Sequence, residues 1–182
     1  MNYKKWVFIA IFLFGIGLVI GLATPTSAIN LLSEDITALQ ELGNILVPFN
    51  FLTVILILVK NASALLLSFA LSPIFCLVPI LALTVNGWLL AFISATVMQE
   101  ESLGFVLAGL LPHGILELPA FILGEAAALS FGAVAVLVLF KKERRELLLP
   151  SLKRNLRYLM AALALLVPAA IIEIYITPLL LT

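Results

Sequence analysis

Residues 109–125 read GLLPHGILELPAFILGE. The stretch puts one His, two Glu and two Pro inside a segment apolar enough to lie in a bilayer. An ionisable group in hydrocarbon costs on the order of a few kcal/mol, so it pairs, faces a water-filled cavity or serves a function. On a helix, His113 and Glu117 share a face and can touch. The surrounding run, 102–140, carries no charge except Glu117 and Glu125. A straight helix of that length would reach nearly 60 Å, about twice the hydrocarbon thickness. Two full spans would bring Glu100 and Glu101 to the same side as the basic segment that follows. The reading that fits is one Pro-broken helix. Leu103–Leu111 enters as a half-helix, Pro112 interrupts it, with Gly114 and Pro119 in the same break, and the chain continues to Phe140. Discontinuous backbone at membrane depth persists only when buried in protein or facing water. Transporters put binding sites at such breaks, although proline kinks also occur in membrane helices that hold no site.

Composition sets the class. Of 182 residues, 64% are hydrophobic and 11% charged, more apolar surface than a soluble domain of this size can hide. The expected fold is all-α: a polytopic membrane helical bundle of about five transmembrane helices, forming one integral membrane domain over 1–182. The single cysteine, Cys76, excludes an intrachain disulfide and reads as a packing residue. No phosphate-binding glycine loop, nucleophile elbow or nucleic-acid signature is present.

Charge distribution predicts the topology. Lys4 and Lys5 precede the first apolar run, and Lys141, Lys142, Arg144, Arg145, Lys153, Arg154 and Arg157 cluster before the last; Lys60 stands alone. Glu34, Asp35 and Glu41, and then Glu100 and Glu101, fall in other loops. The positive-inside rule places the N-terminus and the 141–157 loop in the cytoplasm and, with five spans, the C-terminus outside. The expected location is the cell membrane. The basic loop also suits anionic lipid.

Other segments divide less cleanly. Trp6–Ala23 reads as a retained helix or as a signal peptide ending near Thr26-Ser27-Ala28. Gly15, Gly17 and Gly21 would let another helix approach. Loop 24–44 predicts a short amphipathic helix on the outer interface, starting near Ser33, or a solvated loop. Between Leu46 and Met98, Val47–Val59 reads as a helix dipping into the outer leaflet. Lys60 would snorkel to the surface, and spans would follow from about Ala62 to Val78 and Pro79 to Val97. The rival division makes Phe49–Leu71 one span. Asn86-Gly87 falls mid-span, where a buried Asn would hydrogen-bond between helices.

The last span, about Leu156–Leu180, carries Glu173. Its PAAIIEIYITP repeats part of PHGILELPAFI: Pro112 precedes Glu117 by five residues, as Pro168 precedes Glu173. The two elements would meet near a shared centre. An internal duplication and chance similarity both explain the repeat.

LLPHGILELPAFILGEAAALSFG, with NASALLLSF and VNGWLLAF before it, resembles the stage II sporulation protein M family of integral membrane proteins. RYLMAALALLVPAAIIEIYITPLL is similar to that family's last helix, including Glu173, Tyr175 and Pro178. The resemblance covers roughly residues 60–180. It implies a membrane helical bundle with polar positions at Asn61, Asn86, Gly87, Pro112, His113, Gly114, Glu117, Pro119 and Glu173. It also implies a membrane anchor for cell-wall hydrolases in spore formers, a role that does not carry over to relatives in organisms without spores.

Three function classes remain. In the first, favoured by the sequence, the protein is a membrane scaffold that recruits protein partners, and the buried polar groups fix helix packing. In the second it is a transporter or channel-like protein, with the polar intramembrane cluster of His113, Glu117, Glu125, Glu173, Asn86 and Asn61 lining a cavity. The third is a membrane-embedded metal-dependent hydrolase with His113 and Glu117 as ligands; one His and no HExxH pair argue against it, and no cofactor is indicated. Expected partners are the lipid bilayer and a second copy in a homodimer, with no nucleic acid.

Overall fold

The computed structural model describes residues 3–25, 48–99 and 101–180. The outer interfacial helix expected at 24–44 lies almost wholly outside them. All described elements are helical. They are α1 (Tyr3–Ala23), α2 (Phe51–Leu71), α3 (Leu77–Val97), α4 (Leu103–Phe140), a 3-10 turn (Lys142–Leu147), α5 (Leu148–Tyr175) and a short α6 (Thr177–Leu180). In hydrocarbon no water satisfies backbone groups, so an apolar run becomes a helix whatever its β-branched content. Five segments are long and apolar enough to cross a membrane: Tyr3–Ala23, Phe51–Leu71, Leu77–Val97, Gly114–Phe140 and Lys142–Tyr175. The protein is a multi-pass helical membrane protein.

The stretch between Leu46 and Met98 takes the rival division. Phe51–Leu71 is one helix running through Lys60-Asn61, not a dipping helix followed by a span from Ala62. Asn50 caps it, its side-chain oxygen accepting from the Leu52 N–H at 2.9 Å. The true break lies at Ser72–Cys76, where Pro73 and two left-handed residues, Phe75 (φ 51°) and Cys76 (φ 56°), reverse the chain. Lys60-Asn61 does not end the helix because its backbone has no alternative partner at that depth and the Asn61 side chain hydrogen-bonds Glu117.

Helical hydrogen bonding in α4 runs on through Pro112 and Pro119. The interruption at Pro112 is thus a proline held within a helix, not an unwound segment. The span proper is Gly114–Phe140, and Leu103–Pro112 is a shorter apolar helix leading into it. At 38 residues, α4 is about 57 Å long, so it is longer than the hydrocarbon core is thick. Ser102 caps it through the Phe105 N–H.

The central helix is α4: 61% of its span is buried, against 22–33% for the others. One core joins Leu65 and Phe69 of α2, Ala120, Ala127 and Ala128 of α4, and Leu159, Ala162 and Leu166 of α5. Another joins Ala10 and Phe14 of α1 to Leu83, Ala126 and Leu129. The small residues are spent inside the chain. A Cβ at Gly17 would overlap the Thr84 carbonyl, and one at Gly87 the Phe14 carbonyl, so α1 and α3 run parallel at backbone contact. Gly15 meets nothing. Cys76 is half-buried with its thiol on the Leu129 carbonyl (3.7 Å), and burial pushes that thiol above its ordinary range, as suits a packing residue.

α2 packs on α4 and α5, and α3 packs on α1 and α4; α2 and α3 hardly touch each other. The gap between them is where the polar groups gather.

Candidate functional site

A cavity of about 650 Å³ lies between α2 and α3 with α4 as its floor. Its polar lining comes from four helices: Lys60 and Asn61 of α2, Asn86 of α3, Glu117 of α4 and Glu173 of α5. Leu90, Phe121 and Leu166 supply apolar wall. Spacing explains the gathering. Lys60 and Asn61 turn inward and sideways on consecutive positions of α2. Glu117 comes one turn after Gly114, which leaves room on the same face of α4. Glu173 lies five residues past Pro168 on the antiparallel α5. The two Pro-to-Glu elements therefore deliver their carboxylates to one place.

The hydrogen bonds are partial. Asn61 donates from Nδ2 to Oε1 of Glu117 at 2.9 Å. Asn86 donates from Nδ2 to the Ala82 carbonyl of its own helix at 2.8 Å, so it is not the interhelical link expected of it. Its side chain is exposed and lines the cavity. Glu173 lines the cavity together with Glu117 and Lys60. Among the described residues no donor hydrogen-bonds its carboxylate, and no ion pair joins it to Lys60. The cavity thus gathers one basic and two acidic side chains. Such a site attracts polar or ionic guests into a low-dielectric wall, where charge interactions are stronger than in water.

Glu125 stands apart. It is 1% exposed and accepts from Oγ of Ser68 at 2.6 Å. It lies eight residues beyond Glu117, about 12 Å along the helix, and does not line the cavity. The expected cluster is thus two features: a cavity holding Asn61, Asn86, Glu117 and Glu173, and a closed Glu125–Ser68 contact. The backbone at His113 continues α4; its side chain lies outside what is described. Among the described residues no three His, Cys, Asp or Glu gather in a way that could hold a metal.

Two members were missed in the sequence. Lys60 read as snorkelling to the surface because a helix was ended there; its position midway along an unbroken span was the signal. Ser68 had no signal, since nothing in spacing pairs residues 57 apart.

The sequence profile described as "Stage II sporulation protein M" matches residues 8–178. The chain belongs to the stage II sporulation protein M family. It is 28% identical over 173 residues, 94% of this chain and 93% of the relative, to an uncharacterised protein of Methanocaldococcus jannaschii. No solved structure matches. The match takes in α1 as well as the motifs of α2 to α5, so the first helix is part of the family's pattern. Membership in the stage II sporulation protein M family leaves the activity to be argued from the site.

Proposed function

We propose that this protein is a transporter or channel-like member of its family, whose intramembrane cavity admits a polar or ionic guest. The observation that carries this reading is the exposure of Lys60 and Asn86 halfway along their helices. Groups that only hold helices together bury themselves and pair, as Ser68 and Glu125 do. Lys60 and Asn86 stay open to the cavity, which favours a site over the scaffold reading. An ionisable side chain open at that depth is tolerable when the space beside it is wet or filled by a polar guest.

The proposed setting is the cell membrane with the N-terminus in the cytoplasm and the C-terminus outside. Five spans put the start of α1 and the α4–α5 connection on one side, which gathers nine of the ten basic residues there. The test of the site is a comparison of folding with flux. Purified protein in vesicles should raise the permeation of polar probes, and Glu117→Gln should abolish that flux while the protein still folds. Loss of partner binding and thermal stability together, with no flux from the wild type, would return the scaffold reading.

A further inference from the structure

The opening of the cavity lies at an unusual depth. Lys60 and Asn86 are each the tenth residue of 21-residue helices. Both are exposed, and α2 and α3, which flank the gap, pack mainly on other helices and hardly on each other. The opening therefore faces sideways, into the bilayer. Its rim is apolar: Ala64 is exposed and Ile93 is 48% exposed, and both line the cavity. A guest that enters this way keeps one part in hydrocarbon and places another among charges.

The charges specify that second part. The side chains of Lys60 and Glu173 line the same cavity, yet no ion pair joins them. Opposite charges left apart in a low-dielectric wall are costly, and a group bearing both signs lowers the cost by lying between them. A bare cation meets Lys60, and a bare anion meets two carboxylates. Asn86 gives one amide N–H to the Ala82 carbonyl, and its carbonyl oxygen can accept from a donor in the cavity.

Resting on the transport reading above, we infer that the cavity carries the zwitterionic headgroup of a membrane lipid, entering sideways between α2 and α3 while its acyl chains remain in hydrocarbon. The phosphate lies toward Lys60 and the ammonium toward Glu173 and Asn86. A free zwitterion such as glycine betaine presents the same pair of charges without chains, so the two sources need separating.

The experiment uses the full chain in vesicles of phosphatidylethanolamine and phosphatidylcholine, with acyl-labelled fluorescent phosphatidylethanolamine as probe and dithionite quenching as readout. The same vesicles are tested for uptake of radiolabelled glycine betaine and choline. Lipid crossing should rise about tenfold or more over protein-free vesicles, and Lys60→Met and Glu173→Gln should each remove about nine-tenths of that gain. Melting temperature is followed for both variants. Where one fails to fold, Lys60→Arg or Glu173→Asp replaces it and should retain part of the activity. Betaine or choline uptake without lipid crossing would overturn the lipid assignment and leave the transport reading standing. Absence of all three movements would overturn both. Lipid crossing unchanged in the folded variants, or equal crossing by labelled phosphatidylglycerol, would overturn the assignment to this cavity and to a zwitterion.

Discussion

At the scale of single residues, the two acidic sites of α4 differ in what a substitution should do. Glu125 is sealed and held by Ser68. Ser68→Ala leaves a buried carboxyl without that donor and should cost about 1–3 kcal/mol of stability, read as a lower melting temperature in detergent. Glu117 faces the cavity and accepts from Asn61. Asn61→Leu should therefore disturb flux more than melting, because neither side of the contact is fully buried. Equal loss of melting temperature in both variants would show that the cavity groups are structural. The convergence of Glu117 and Glu173 was legible in the repeated Pro-to-Glu spacing. Lys60 was not, because its role depends on whether a helix ends beside it, and that is decided by contacts with helices far away in the chain.

At the scale of elements, two features set the frame of the cavity. The first is the backbone contact of α1 with α3. A methyl group at Gly87 would meet the Phe14 carbonyl and one at Gly17 the Thr84 carbonyl, neither of which can move without moving its helix. Gly87→Ala should destabilise by about 1–3 kcal/mol as an overpacked contact, while Gly15→Ala, with nothing near it, should leave melting unchanged. A neutral Gly87→Ala would contradict the packing described. The second is α4 passing through Pro112 and Pro119. Its extent was legible from the uncharged run, and the strong proline signal suggested a break. The helix continues because lipid and neighbouring helices leave the backbone no better partner. The same logic explains why Lys60-Asn61 did not end α2, while Pro73, at the turn between helices, did end it.

At the scale of the whole molecule, the class was legible from composition, and the five spans from length and hydropathy, because the bilayer constrains both more tightly than water does. The gap between α2 and α3 was not legible, since it depends on which helices choose α4 as a neighbour. Sidedness has its own test. In a Cys76→Ala background, Ser102→Cys and Glu146→Cys, both exposed, should react with an impermeant thiol reagent from opposite sides of the membrane; reaction from the same side would refute the five-span parity. The central claim is that a polar cavity stands open at mid-membrane depth, and neighbouring residues of α3 test it most directly. Asn86 lines the cavity, while Val85 is 44% exposed on another face at the same depth. In the same background, Asn86→Cys should be modified by a charged, water-borne methanethiosulfonate reagent and Val85→Cys should not. Modification of neither, or of both alike, would contradict the cavity.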